Sequence, residues 1–460
     1  MNSHYSNFYK AGLVTWLLLA LLIHSESHGY ADEPGWQAGF AKVVITPDEP
    51  MWLTGYGGRS RPAEGKVHDL YARAVAIKDG GGHQVVFISL DLIGVPAEMA
   101  RVVSEAAAQK HGLNRADIML CSSHTHCGPA LDQRLSHMLA MNEEDWKQVR
   151  KYQQQLNAKL KDLVDLALAD LQPARLSTGG GICRFAANRR QPRGLGPYDH
   201  DVPVLRITAE DGTTLRGVIF GYACHSTTLS FYKWCGDFPG FASLYLEERY
   251  PGATALFFAG CGADQNPLPR RKLDLAKKYG RMLALSVENV LESATRSVPA
   301  RVQTDIEWIE LEFDRMPTRV ELEEQLASGS RYVRSRAALL LSEMEANGSL
   351  PKTYPYPVQV WDLGDDLTWA ALGGEVVVDY ALRLKRELGE SRTWVAGYAN
   401  DVMAYIPSER ILQEGGYEGD SSMVVYQQPS RWKPGLEDKI VDTVRRLSSE
   451  LKSRSNAVKR

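Results

Sequence analysis

From Val85 onward the chain alternates between short apolar runs and amphipathic segments, and this alternation limits the fold more than any other feature. Residues 85–91 (VVFISLD), 117–122, 202–208, 215–223 and 254–260 predict strands, by their continuous apolar or β-branched character. Residues 97–111, 143–171, 241–250 and 273–292 carry helical periodicity between them. Beyond Arg301 the pattern predicts a strand at 306–313, a charged helical stretch at 319–346, strands within 356–372, a helix at 377–388, a strand at 393–396 and a polar helix at 436–452. Such βα alternation implies an α/β fold, a mixed sheet covered by helices. No repeat, low-complexity linker or domain boundary interrupts it, so residues 32–460 are expected to form a single large catalytic domain.

The 460 residues are 24% charged with a net charge of -3 and no block of like charge. That balance argues against a nucleic-acid partner and against strong attraction to an anionic membrane. Lys10 precedes an apolar run at 11–23 that is short for a bilayer span, so residues 1–31 read as a secretory signal peptide, the alternative being a short N-terminal anchor. The folded part is expected outside the cytoplasm, secreted or periplasmic. The six cysteines form no CxxC pair, which excludes a zinc finger and is compatible with one or two disulfides or with free buried thiols. Residues 54–77 (TGYGGRSRPAEGKVHDLYARAVAI) lack Walker and dinucleotide spacings and read as a loop able to approach a pocket closely.

Candidate chemistry gathers where apolar runs end, as expected for ligands beyond strand carboxyl ends. After residues 117–122 comes HTHCGP; in an extended segment His124 and His126 point to the same side, a metal half-site. His225, in GYACHSTT, ends another strand and is the candidate third ligand. Asp237, Asp264 and Glu375 also follow apolar runs, where an acid serves equally as a helix cap; Asp91 and Asp237 are expected to orient the metal histidines. HExxH and GxSxG motifs are missing from the sequence. The residues therefore predict a metal-assisted hydrolase.

The order GFAKVVITP, TGYGG, VHDLYARAVAI, VVFISLD, SSHTHCGP, NRR, ACHS, GDFPG, GADQNP, GGE, NDVMAYIPSE and GGYEG, from about Gly39 to Gly419, resembles the catalytic domain of the neutral/alkaline non-lysosomal ceramidases. The resemblance implies one zinc ion per chain, held by His124, His225, Glu375 and Tyr405, and amide (N-acyl) cleavage by zinc-activated water. It implies His126 as proton carrier or oxyanion donor, with Arg189 and Tyr417 contacting the scissile group. Two departures stand out. Asn266 occupies the family's serine position, and an amide side chain cannot be an acyl nucleophile. The chain also ends shortly after YEG, so the family's C-terminal immunoglobulin-like domain is not expected.

The expected partner is a small-molecule or lipid-like substrate, ceramide or a related N-acyl compound. A second reading keeps the zinc and takes a soluble glycan or amino-sugar derivative, cleaved by hydrolysis or elimination and bound by Arg59, Arg61, Arg189, Arg190, Arg193 and Trp234. A third is a ligand-binding relative without turnover. Oligomeric state and membrane contact have no signal in the sequence.

Overall fold

The computed structural model describes residues 35–191, 195–364 and 366–458. The signal-peptide reading of residues 1–31 and the candidate Arg193 lie outside them.

The strands run β1 (Trp36–Val44), β2 (Tyr71–Lys78), β3 (Gln84–Leu90), β4 (Ile118–Ser122), β5 (Gln172–Ile182), β6 (Ala186–Asn188), β7 (Asp201–Ala209), β8 (Leu215–Tyr222), β9 (Thr254–Ala259), β10 (Gln265–Pro267), β11 (Arg296–Ser297), β12 (Val302–Glu312), β13 (Thr353–Leu363), β14 (Leu367–Leu372), β15 (Glu375–Val376), β16 (Thr393–Ala396) and β17 (Tyr405–Ile406). The α-helices are α1 (Ala97–His111), α2 (Glu143–Ala169), α3 (Asp237–Arg249), α4 (Leu273–Leu291), α5 (Arg319–Gln325), α6 (Arg331–Asn347), α7 (Val378–Leu388), α8 (Glu409–Glu414), α9 (Ser422–Val425) and α10 (Leu436–Val458).

A mixed sheet of order β4-β3-β2-β1-β5-β7-β8-β9, with β11 beside β5, faces a four-stranded sheet of order β12-β13-β14-β16. The α/β class is as expected, with one difference: helices cover only one face of the large sheet, because the second sheet covers the other. Side-chain alternation explains the layering. On β9, Ala255 and Phe257 join the helix-side core, while Leu256 and Phe258 join Trp361, Trp369 and Trp394 between the sheets. The Trp369 ring lies 5.0 Å from both Phe87 and Phe258, centroid to centroid, and locks the two sheets together. α2 packs on β1 and β2, and α4 on β5 and β7; α10 covers the far face of the second sheet.

Most predicted elements appear within a few residues of their expected bounds. The C-terminal part of the 54–77 loop is in fact β2, and the 319–346 stretch is two helices, α5 and α6, broken near Gly329. β5 was unreadable because its Gly179–Gly181 run looks like a loop. Those glycines let α4 lie directly on the strand: a Cβ at Gly179 would come 2.6 Å from Val290, and one at Gly181 2.5 Å from Ser286. All six cysteines are buried and unpaired.

A polar contact also joins the sheets. His83 Nε2 lies 2.8 Å from Asp117 Oδ1 and its Nδ1 lies 3.1 Å from the Val302 carbonyl, so both ring nitrogens face acceptors. The Asp117 hydrogen bond raises the His83 pKa above its usual value, against burial. A raised folded pKa stabilises the protein fully below the unfolded pKa of about 6.5 and loses that contribution as pH rises through the folded pKa. Urea unfolding of His83→Gln should therefore show a deficit on the order of 1 kcal/mol near pH 6 that shrinks by pH 8.5, kept small because the ring is partly exposed. A deficit independent of pH would show that the imidazole stays neutral.

Candidate metal centre

Three segments leaving the carboxyl ends of β4, β8 and β14 converge on one buried point. The segment after β4 is a turn, not the extended run expected from the sequence. His124 adopts a left-handed backbone with φ of 56°, unusual for a side chain of this size. That turn, and not the period-two alternation of a strand, brings His124 and His126 together, with ring centroids 4.8 Å apart and rings nearly perpendicular. Ser226 holds the turn by donating to the Ser123 carbonyl (2.6 Å), and Arg59 by donating to the His126 carbonyl (2.6 Å). Gly128-Pro129 closes it against the first loop, where Thr54 N–H reaches the Gly128 carbonyl and Leu53 bridges Pro129.

One ring nitrogen from each of His124, His126 and His225 lies within 4.8 Å of the others, and all three side chains are buried. His124 Nδ1 is 2.6 Å from the Ile93 carbonyl, and His225 Nδ1 is 2.8 Å from the Gly262 carbonyl. A carbonyl accepts only, so Nδ1 carries the proton in both rings and Nε2 presents a lone pair. These lone pairs point at Glu375 Oε2, at 3.2 Å from His124 and 3.0 Å from His225. Oε2 has no hydrogen-bond donor. Its other oxygen, Oε1, accepts from the Tyr426 hydroxyl. Burial pushes His225 down to about 4.

Acceptors facing acceptors in a buried site make the donor set of a borderline cation. Two imidazole nitrogens and a carboxylate suit zinc, with the Tyr405 hydroxyl 3.2 Å from His225 Nε2 as a fourth donor. The carbonyls of Ile93 and Gly262 orient the rings. Asp91 and Asp237, expected in that role, do other work. Asp91 accepts from Tyr71 N–H (2.9 Å) and pairs with Arg73; Asp237 opens α3 and accepts from Leu229 N–H (2.9 Å). Asp264 accepts from Val378 N–H (3.0 Å) at the start of α7, so of the three candidate acids only Glu375 reaches the histidines.

The remaining sequence candidates divide. Arg189 donates to Tyr405 (3.1 Å) and pairs with Glu418 (2.6 Å). Tyr417 lies with its ring 5.2 Å from that of Tyr405 and is partly exposed. Asn266 is buried in β10, accepts from the Thr227 hydroxyl (3.3 Å), and does not line the cavity. Arg59 and Trp234 are buried, and Arg61 pairs with Glu64. Arg190 pairs with Glu418 and Glu414. Sequence reasoning missed Tyr426, Glu418 and Tyr398, whose ring lies 4.3 Å from that of His124. No motif marks Tyr398 or Tyr426; Glu418 stands next to Tyr417, and its adjacency was the available signal.

A cavity of about 180 Å³ opens on the cluster, lined by Gly55, Gly57, Ile93, Leu135, Met138, Tyr332, Tyr417, Val425 and Tyr426 besides His124, His126, Glu375 and Tyr405. The glycine loop approaches as closely as its composition suggested. Gly55 has φ of +94°, and a Cβ there would sit 2.5 Å from His126 Nδ1. Gly55→Ala should cost about 1–3 kcal/mol in urea unfolding, from backbone strain and displacement of the ring. Gly58→Ala, where a Cβ meets nothing within 4 Å, should stay within about 0.5 kcal/mol. Equal stability of the two variants would contradict the close approach.

Comparison with known proteins follows the same line. Residues 36–261 match the family model for neutral/alkaline non-lysosomal ceramidase, N-terminal. Curated proteins give no significant match. A crystal structure of neutral ceramidase from Pseudomonas aeruginosa aligns with a TM-score of 0.72 at 20% identity, over 92% of this chain and 75% of that one. The structure of a ceramidase complexed with C2 aligns with a TM-score of 0.71 at 18% identity, over 91% and 76%. At such identities the structural likeness speaks for the fold, and the matched sequence speaks for the family. Residues 36–261 thus match the neutral/alkaline non-lysosomal ceramidase family, and the chain has the fold of the solved ceramidases.

Proposed function

We propose that this protein is a zinc-dependent hydrolase that cleaves an amide (N-acyl) bond outside the cytoplasm. One observation carries the reading: the donorless Glu375 Oε2 faces the Nε2 lone pairs of His124 and His225 in a buried site. The family match and the fold support a ceramidase-like hydrolase. His124, His225, Glu375 and Tyr405 would hold one zinc ion. Bound there, zinc supplies Lewis acidity toward water and an acyl carbonyl.

The protein's own groups do the rest. His126 is held neutral, well below its ordinary pKa, by burial and by the facing His124 and His225. Its Nε2 sits 3.2 Å from His124 Nε2 and its Nδ1 has no partner, so the ring is placed to take up a proton and deliver it to the leaving amine. Arg189 holds the Tyr405 hydroxyl, and Glu418 holds Arg189, so the tyrosine cannot swing away from the cluster. Tyr426 keeps Glu375 Oε1 occupied and leaves Oε2 to the cation. Tyr417 stands at the cavity mouth, where it can meet the scissile group. Asn266 supplies no nucleophile, which leaves direct attack by water as the route. The apolar run at 11–23 supports secretion or periplasmic export.

Elemental analysis of the purified protein should find one zinc per chain, lost in His124→Ala, and a fluorogenic N-acyl amide should be cleaved by the parent and at least about 100-fold more slowly by the variant. Absence of zinc from both proteins, or amide cleavage that survives in metal-free His124→Ala, would refute the reading.

A further inference from the structure

The cavity over the histidines is small, about 180 Å³. Pockets that bury a whole small-molecule ligand measure about 300–1,000 Å³. Most of any substrate must therefore lie outside it, and Gly57 and Tyr332 of its lining lead into a row of arginines on tyrosines. The Arg271 guanidinium lies 4.9 Å from the Tyr56 ring centroid, and the Tyr56 ring lies 4.7 Å from His126. Next to Tyr56, a Cβ on Gly57 would come 2.5 Å from the Tyr332 hydroxyl, and Arg331 lies 5.0 Å over the Tyr332 ring. Arg271, Tyr56, Gly57, Tyr332 and Arg331 thus form one continuous strip beside the candidate catalytic histidine.

Neither Arg271 nor Arg331 has a carboxylate within ion-pair distance among the described residues, whereas Arg189, Arg190, Arg134 and Arg61 are all paired. Arg271 is exposed and Arg331 half-buried. Arg270 adds a third guanidinium; burial first, and then the neighbouring Arg271, lowers its pKa, as crowded like charges require. Arg331 gives one N–H to the Tyr332 hydroxyl (3.3 Å), and the remaining N–H groups of a guanidinium laid on a tyrosine face can make the parallel hydrogen bonds that capture carboxylate, phosphate or sulfate.

We infer that the substrate of this site carries its own anionic group, held at the cavity mouth by Arg271 and Arg331. From the two ring contacts, the Arg271 guanidinium lies within about 10 Å of the His126 ring. The inference rests on the amide-hydrolase reading for its substrate class, an N-acyl compound with an acidic headgroup, but the anion site can be measured without turnover.

The test compares a fluorogenic N-acyl amide bearing a carboxylate with its methyl ester, using the metal-loaded protein, Arg271→Ala, Arg331→Ala and the double variant, at low and high salt. The acid should be preferred about tenfold in kcat/KM, through KM, and the preference should vanish in the double variant and fall with salt. Equal use of acid and ester, or a preference that survives the double variant, would overturn the inference. If neither compound is cleaved, the hydrolase reading fails by itself. Calorimetric titration with a non-hydrolysable sulfonamide analogue of the acid then decides the anion site: binding lost in the double variant supports it, and binding unchanged overturns it. Vesicles of phosphatidylglycerol separate the other source of anions, because arginine-dependent binding to them without any preference for the soluble acid would assign the strip to a lipid surface and overturn a substrate role.

Discussion

The segment that leaves β16 ties the two sheets into one site. Gly397 N–H reaches the Ala259 carbonyl at the end of β9, the Tyr398 carbonyl accepts from Ser122 at the end of β4, and Asn400 N–H reaches the Leu120 carbonyl. On its other side Tyr398 N–H bonds to the Gly374 carbonyl, next to Glu375. The histidines follow strands of one sheet and the glutamate, in β15, follows β14 of the other, so their distances are set by this seam. Backbone hydrogen bonds in a buried seam are costly to leave unmade. The seam is also where the chain accepts strain, since His124, Tyr398 and Asn400 all have φ between 54° and 60°.

The seam creates an electrostatic problem that the surrounding side chains only partly solve. A buried carboxylate is costly unless paired, and here one oxygen takes the Tyr426 hydroxyl while the other faces lone pairs. Nearby, Arg189 is matched by Glu418, and Glu418 also takes Arg190. These pairs leave Glu375 Oε2 as the buried carboxylate oxygen that a cation would complete. This is the physical content of the metal reading, and it stands on hydrogen-bond geometry independent of any family likeness.

Asn266, the first departure from the family pattern, falls in the same neighbourhood as the arginine strip. Asn266 accepts from Thr227, and Arg270 reaches the same hydroxyl at 3.5 Å. A position that resemblance assigns to chemistry is here part of the support beneath a basic rim.

Much of the architecture was determined by the sequence alone, because buried strands and amphipathic helices leave periodicities that need no knowledge of distant contacts. Residues 97–111 and the cluster of HTH, ACHS and GGE at strand ends are of this kind. Tertiary structure decided what depends on distant partners: that the glycine run of β5 is a strand because α4 lies on it, that HTH turns instead of extending because Ser226 and Arg59 hold its carbonyls, and that Asp264 caps a helix while Glu375 meets the histidines. It also decided the roles of Tyr398 and Tyr426, single aromatic residues without a motif, whose contacts span the chain separations that local sequence pattern does not encode.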